Sequence, residues 1–141
     1  MKFKFTYIIW CSLYLFFSCG GNQHPVPYVP VEKQINITLP SYSSLQGIGG
    51  WTYLDGGSKG IVVYRKTLDE FVAFDRHSTH EANLDCDGVE VDSSNNLILN
   101  DPCSDARYNI TDGSIVSGKA NYPLRQYNAH YDGSSLLRIY N

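Results

Sequence analysis

The chain has 141 residues, the length of a single domain. Apolar residues make up 43% of it, which is enough for a packed core and excludes a wholly disordered protein. Eleven Lys and Arg residues against fourteen Asp and Glu residues give a net charge of −3, so the chain lacks the basic surplus that nucleic-acid binding requires. Twelve glycines and eleven tyrosines favour a β-rich chain with many turns.

Residues 1–18 have the pattern of a secretory signal peptide. Two lysines precede an apolar run over residues 7–17, which is shorter than the roughly 20 residues of a transmembrane helix. The Ser-Cys-Gly step at 18–20 resembles a bacterial lipobox, where the chain is cleaved before the cysteine and the thiol is acylated. The sequence therefore predicts a lipid anchor on Cys19, and an ordinary signal peptide with an unmodified Cys19 is the alternative.

A proline-rich segment over residues 20–33 follows the lipobox. Each proline fixes its own φ and favours an extended residue before it, so this segment is predicted to be a semi-rigid spacer. The expected location is the extracytoplasmic envelope of a bacterium, at the outer membrane. The predicted segments are a signal peptide at 1–18, a lipidated cysteine with its tether at 19–33 and a β domain at 34–141.

Short apolar–polar alternations recur between turn residues from residue 34 onward. No segment keeps a 3.6-residue apolar period for three turns, so no long helix is predicted. The pattern indicates an all-β domain of about ten short antiparallel strands, arranged as a sandwich or barrel. The predicted strands cover residues 34–39, 51–54, 61–65, 70–75, 89–92, 96–99, 107–110, 114–116, 124–131 and 136–140.

Cys86 and Cys103 are the cysteines that remain once the signal peptide is removed and Cys19 is acylated. They flank a predicted hairpin over 89–99, so the chain between them doubles back. Two cysteines in an oxidising compartment predict a disulfide, which would stabilise the fold by about 3 kcal/mol. Two thiolate metal ligands and two free thiols are the alternatives.

His77 and His80 come directly after the strand predicted at 70–75. Two imidazoles three residues apart, followed by the carboxylates of Glu81 and Asp85, are the kinds of side chain that ligate zinc or iron. No third histidine is near them, and the spacing H-E-x-x-H is absent. The favoured interpretation is a pair of solvated loop histidines, and a mononuclear metal site is the alternative.

The order of residues in three stretches of the domain is typical of a known family. These stretches are 70–76, 102–127 and 135–139. The second stretch contains a Pro-Cys step, an Asp-Gly turn and a Pro-Leu pair, and Lys119 stands where the family has a proline. From about residue 46 to residue 141 the chain resembles the Rieske iron–sulfur domain, most of all its small lipoprotein variants from Bacteroidetes-type bacteria. The resemblance implies a β domain with a small, loop-rich cluster-binding subdomain.

A Rieske [2Fe–2S] cluster is held by two cysteines on one iron and two histidines on the other. The family supplies them from a Cys-x-His box and a Cys-x-x-His box, which the resemblance places on residues 78–80 and 101–104. Of the four ligand positions, only one holds the residue that the family has. The residues at these degenerate ligand positions are Ser78, His80, Asp101 and Ser104.

The resemblance also places Cys103 on the cysteine of the family's structural disulfide, with Cys86 as a substitute partner. Serine and aspartate oxygens are harder and poorer ligands than thiolates for an iron–sulfide core. Although the family implies a [2Fe–2S] centre, we therefore expect this chain to bind no cofactor.

These observations predict a lipid-anchored envelope protein whose Rieske-like domain has lost its cluster. It would be a non-catalytic interaction or assembly module, with the membrane and an envelope protein or glycan as partners and no nucleic acid. One alternative is a Rieske-type electron carrier, which would still not be a self-contained oxidoreductase. Others are a mononuclear metal module using His77 and His80, and a hydrolase using Ser78, His80 and Asp101, which lacks a nucleophile-elbow sequence.

Overall fold

The structure, a computed structural model, describes residues 23–83 and 85–141. The predicted signal peptide and Cys19 lie outside these residues. The expectation of an all-β domain with about ten short antiparallel strands is confirmed. The elements are β1 (Glu32–Asn36), a 3₁₀ segment (Pro40–Gln46), β2 (Trp51–Leu54), β3 (Ile61–Arg65), β4 (Phe71–Asp75), β5 (Glu90–Val91), β6 (Ile98–Asn100), β7 (Arg107–Asn109), β8 (Ile115–Ser117), β9 (Gln126–Tyr131) and β10 (Leu136–Tyr140).

The strands form two antiparallel sheets. The six-stranded sheet has the order β1-β10-β9-β4-β3-β2, and the four-stranded sheet has the order β5-β6-β7-β8. Strands β4 and β9 are neighbours, with Ala73 paired to Tyr127 and Phe74 paired to Gln126. Residues 76–125 therefore leave the large sheet and return to it at the same place. We call them the inserted subdomain.

Strands β3 and β4 are buried on both faces. Because successive side chains of a strand point to opposite faces, Ile61 and Val63 enter one hydrophobic core while Val62 and Tyr64 enter another. The first core includes a residue of the 3₁₀ segment, and the second includes Tyr108 of the inserted subdomain. The large sheet thus has one core on each face, and the second core holds the inserted subdomain in place.

Residues 24–31 pack along the domain. Val26 is fully buried, and Nη2 of Arg125 donates a hydrogen bond to its carbonyl at 2.7 Å. The His24 ring donates from Nε2 to the carbonyl of Pro123 at 3.0 Å. The sequence predicts a semi-rigid spacer here, and in the structure burial and hydrogen bonds attach residues of this range to the domain.

The first strand also differs from its predicted position at 34–39. β1 begins two residues earlier and ends at Asn36, whose side-chain oxygen accepts from the backbone N–H and the hydroxyl of Thr38. This turn leads into the 3₁₀ segment, which starts at Pro40 because proline suits a first helical position. Within the described residues, no helix has the length and apolar character needed to span a membrane.

Candidate functional site

Two loops of the inserted subdomain are covalently joined. The first loop (77–89) connects β4 to β5, and the second loop (101–106) connects β6 to β7. A disulfide links Cys86 in the first loop to Cys103 in the second, with the two Cα atoms 6.2 Å apart. The expected disulfide is confirmed, and neither sulfur is left as a free thiol or a thiolate ligand.

Asp101 lies at the junction of the two loops and is only 5% exposed. Its carboxylate accepts hydrogen bonds from the Ser78 hydroxyl at 2.5 Å and from the Ser104 hydroxyl at 2.7 Å. The backbone N–H of Cys103 is a third donor at 2.9 Å. A buried carboxylate is costly unless donors surround it, and here the donors come from both loops. Asp101 therefore fixes the loops against each other.

The first loop is also anchored through the fully buried Tyr108 of β7. The Tyr108 hydroxyl lies 3.1 Å from the Ser78 hydroxyl, from the Thr79 hydroxyl and from the backbone nitrogen of Thr79. The Thr79 hydroxyl in turn donates to the carbonyl of Tyr122. These bonds connect the first loop to the small sheet and to the segment that precedes β9.

His80 lines the same cavity as Ser78, Asp101 and Ser104, so the structure brings together the four residues that the resemblance compared with cluster ligands. The cavity has a volume of about 20 Å³, which is the space of about one water molecule. The His80 side chain is 19% exposed and its Nε2 lies 3.8 Å from the carboxylate of Glu81. Glu81 has a φ of 45°, a conformation that costs a non-glycine residue free energy and is often found at functional sites.

His77 is buried rather than solvated, with only 8% of its surface exposed. Its Nε2 donates to the carbonyl of Ala82 at 2.7 Å, so Nδ1 accepts from the hydroxyl of Ser58 at 2.7 Å. The expectation of a pair of solvated histidines is therefore wrong for His77. Because both ring nitrogens are already bonded within the protein, His77 has no free lone pair for a metal ion.

A second buried carboxylate, Asp75, supports the start of the first loop. It is fully buried and accepts from the backbone N–H groups of Ser58, Lys59 and His77 at 2.6, 3.2 and 2.9 Å. The hydroxyl of Tyr127 donates to the same group at 2.7 Å. Burial, and then this bond, raise the pKa of Tyr127 well above its ordinary value, so that hydroxyl stays a donor at any physiological pH.

The described residues contain one group of three metal-ligating side chains whose donor atoms lie within 4.8 Å of one another. It consists of Asp101 and the two cysteines of the disulfide, whose sulfurs are not thiolates. His77 and His80 do not belong to it. The geometry therefore does not favour the mononuclear metal site that these two histidines suggested.

The residues of this site do not fit a [2Fe–2S] cluster. Such a cluster needs two thiolates and two imidazoles, whereas the four positions offer two hydroxyls, one carboxylate and one imidazole. The hydroxyls of Ser78 and Ser104 already donate to the buried carboxylate of Asp101, so these oxygens are engaged within the protein.

Several residues that shape the site were not singled out by the sequence analysis. Ser58 lies 19 residues before His77 and Tyr108 lies 30 residues after Ser78, so no local pattern joins them. The role of Asp75 has one signal in the sequence. A carboxylate at the end of the apolar strand Phe71–Asp75 is buried and needs hydrogen-bond donors around it.

The sequence matches no protein-family model and no curated protein. Among solved structures, the chain is similar to the ferredoxin of carbazole 1,9a-dioxygenase from Nocardioides aromaticivorans IC177, with 18% sequence identity and a TM-score of 0.49. The similarity covers 81% of this chain and 100% of the ferredoxin chain. It concerns the course of the backbone and assigns neither a cofactor nor an activity to this protein.

Proposed function

We propose that this chain is a Rieske-like β domain without an iron–sulfur cluster, which acts as a lipid-anchored, non-catalytic interaction module of the bacterial envelope. One observation carries the proposal. Asp101, at a position where the family has a cluster thiolate, is buried and accepts hydrogen bonds from Ser78 and Ser104, which stand at two further ligand positions.

The chemistry of these groups supports the loss of the cluster. Serine would have to lose its proton to ligate iron, but both hydroxyls use that proton to compensate the buried charge of Asp101. The oxygens are also harder ligands than the iron–sulfide core prefers. Electron transfer through a [2Fe–2S] centre, the alternative function, would require this whole network to open.

The rigidity of the two loops supports a role in binding a partner. The disulfide, Asp101 and Asp75 each hold loop backbone in one arrangement. The side chain of Glu81 is 61% exposed and that of Asp85 is fully exposed, so the loops present acidic groups to solvent. Exposed loops on a rigid β scaffold are where binding residues are commonly placed, and an envelope protein or glycan is the partner we propose.

The proposal is tested by measuring iron and acid-labile sulfide in the chain purified anaerobically without residues 1–18. We expect neither, and we expect no visible absorption band of a [2Fe–2S] centre. A red-brown protein with stoichiometric iron and sulfide would overturn the loss of the cluster and make the protein an electron carrier.

A triple variant provides the matched positive control. Ser78→Cys, Asp101→Cys and Ser104→His together restore the ligand set of the two family boxes while His80 stays in place. After reconstitution with iron and sulfide, we expect this variant, but not the parent, to gain visible absorption and an EPR signal when reduced. If the variant folds and still binds no iron, the assignment of the four ligand positions is wrong.

A further inference from the structure

The docked N-terminal segment limits how far the domain can lie from a lipid anchor on Cys19. Val26 is fully buried beside Arg125, and His24 is bonded to Pro123. Farther along, the backbone N–H of Val31 donates to the side-chain oxygen of Asn141 at 3.0 Å. The chain is thus attached to the domain from His24 onward.

Covalent geometry converts this attachment into a distance. Five residue steps separate Cys19 from His24, and an extended chain covers at most about 3.6 Å per step, so the two Cα atoms are at most about 18 Å apart. A segment unattached as far as residue 34 would have allowed about 54 Å by the same estimate. An acylated Cys19 lies at the lipid headgroup layer, so the face that binds the segment lies close to that layer.

That face has the composition of a membrane-contacting surface. Tyr28 is 64% exposed, and tyrosine is enriched where proteins meet lipid headgroups. Residues 23–28 and Arg125 line an open groove of about 540 Å³. Within the described residues, Nε of Arg125 is buried without a hydrogen-bond partner, although Nη2 bonds to Val26. Arg125 is the only Lys, Arg, Asp or Glu among the described residues that line the groove, so this face carries a positive charge that attracts lipid phosphates.

We propose that the surface formed by residues 23–28 with Arg125, here called the basal face, rests on the phospholipid headgroup layer. The inference rests on the lipid anchor of the proposed function and goes beyond it, since an anchor alone would permit the domain to stand away from the membrane. Thr79 is bonded to Tyr122, whose ring lies 6.1 Å from that of His24, so the first loop lies beside the basal face.

The test uses the acylated chain purified from membranes and placed in phosphatidylcholine nanodiscs that contain a lipid with a nitroxide on its headgroup. Paramagnetic relaxation of backbone amides reports their distance from the headgroups. We expect the amides of Tyr28 and Arg125 to relax several-fold faster than that of Leu68. Leu68 lies in the turn before β4. The backbone carbonyl of Arg125 accepts from the backbone N–H of Asp75, which is at the other end of β4.

A matched pair of variants separates docking from tethering. Val26→Asp places a charge at a fully buried position and should detach the segment, so that Arg125 loses its enhanced relaxation. Val116→Asp makes the same change at a valine that is 49% exposed and should leave the enhancement unchanged. If the purified chain carries no acyl mass on Cys19, the proposed anchor itself fails. If it is acylated but Arg125 relaxes no faster than Leu68, only the basal-face inference fails.

Discussion

Asp75 and Asp101 show how this domain holds its loops with buried carboxylates and neutral donors. Each is at most 5% exposed, and backbone N–H and hydroxyl groups supply the hydrogen bonds that compensate its charge. Such bonds to a charged acceptor are roughly twice as strong as neutral ones. The donors to Asp101 come from both loops and one donor to Asp75 is the backbone N–H of His77, so the two carboxylates hold loop backbone in place.

Gly57 is the residue whose substitution tests this arrangement most directly. A Cβ there would lie 2.5 Å from a carboxylate oxygen of Asp75 and 2.6 Å from the hydroxyl of Tyr127, and its φ is +63°. We expect Gly57→Ala to destabilise the fold by about 3 kcal/mol, combining the cost of the left-handed backbone with a disrupted buried bond. Urea unfolding of the chain from Cys19 onward would measure this loss.

Gly133→Ala is the matched control for that substitution. Gly133 also has a positive φ, +79°, but a Cβ there meets nothing within 4 Å. We expect it to cost about 1 kcal/mol, the backbone term alone. Equal losses in the two variants would contradict the role of Gly57 in admitting the Asp75–Tyr127 pair.

At the residue scale, the sequence predicted which side chains lie close together but not which hydrogen bonds they form. The resemblance to Rieske domains singled out Ser78, His80, Asp101 and Ser104, and all four line one cavity. The burial of His77 could not be predicted, because its ring partners are a hydroxyl 19 residues away and a backbone carbonyl. Backbone carbonyls leave no mark in a sequence.

At the scale of elements, turn chemistry explains why the strands were located well. Asp112 accepts from the backbone N–H and hydroxyl of Ser114, and Asn109 does the same for Thr111. Each of these side chains bonds two residues onward, a local pattern encoded in the sequence itself; the Asn109 turn ends β7 and the Asp112 turn precedes β8. The docked segment over 24–31 was missed because its contacts are with residues about 100 positions away.

The turn between β9 and β10 gives a prediction about acid. The Asp132 carboxylate accepts from the backbone N–H groups of Ser134, Ser135 and Leu136, and the bond from Ser134 is the largest cause that lowers the pKa of Asp132 from 3.8 to about 2. A lowered folded-state pKa contributes stability above the unfolded value, and this contribution is lost as pH falls from about 4 through about 2.

Asp132→Asn should therefore be less stable than the parent near neutral pH, and the difference should shrink towards pH 2. Urea midpoints measured at roughly pH 6 to pH 2 would follow this difference. Asp69→Asn is the control, because the Asp69 carboxylate accepts no hydrogen bond among the described residues. A difference between Asp132→Asn and the parent that is constant across the pH range would contradict the assignment.

At the scale of the whole molecule, the two cores are coupled through shared strands. β3 and β4 send alternate side chains into the first and second cores, so neither core can open without exposing one face of the same two strands. The inserted subdomain also leaves and rejoins the large sheet at neighbouring strands, where the backbone N–H of Asp75 bonds to the carbonyl of Arg125 at 2.8 Å.

This coupling predicts one cooperative unit, which Leu99→Ala tests. Leu99 is fully buried in the second core on β6, away from the large sheet, and its truncation should cost about 2–5 kcal/mol. In native-state hydrogen exchange, the slowest amides of β10 and β7 should lose equal protection, since both exchange through global unfolding. Leu97→Ala changes a leucine that is 48% exposed, so it should lower the stability and the protection of the β10 and β7 amides by far less. If β10 kept the protection of the parent in Leu99→Ala, the inserted subdomain would unfold by itself, and the loops of the proposed binding site could rearrange without disturbing the large sheet.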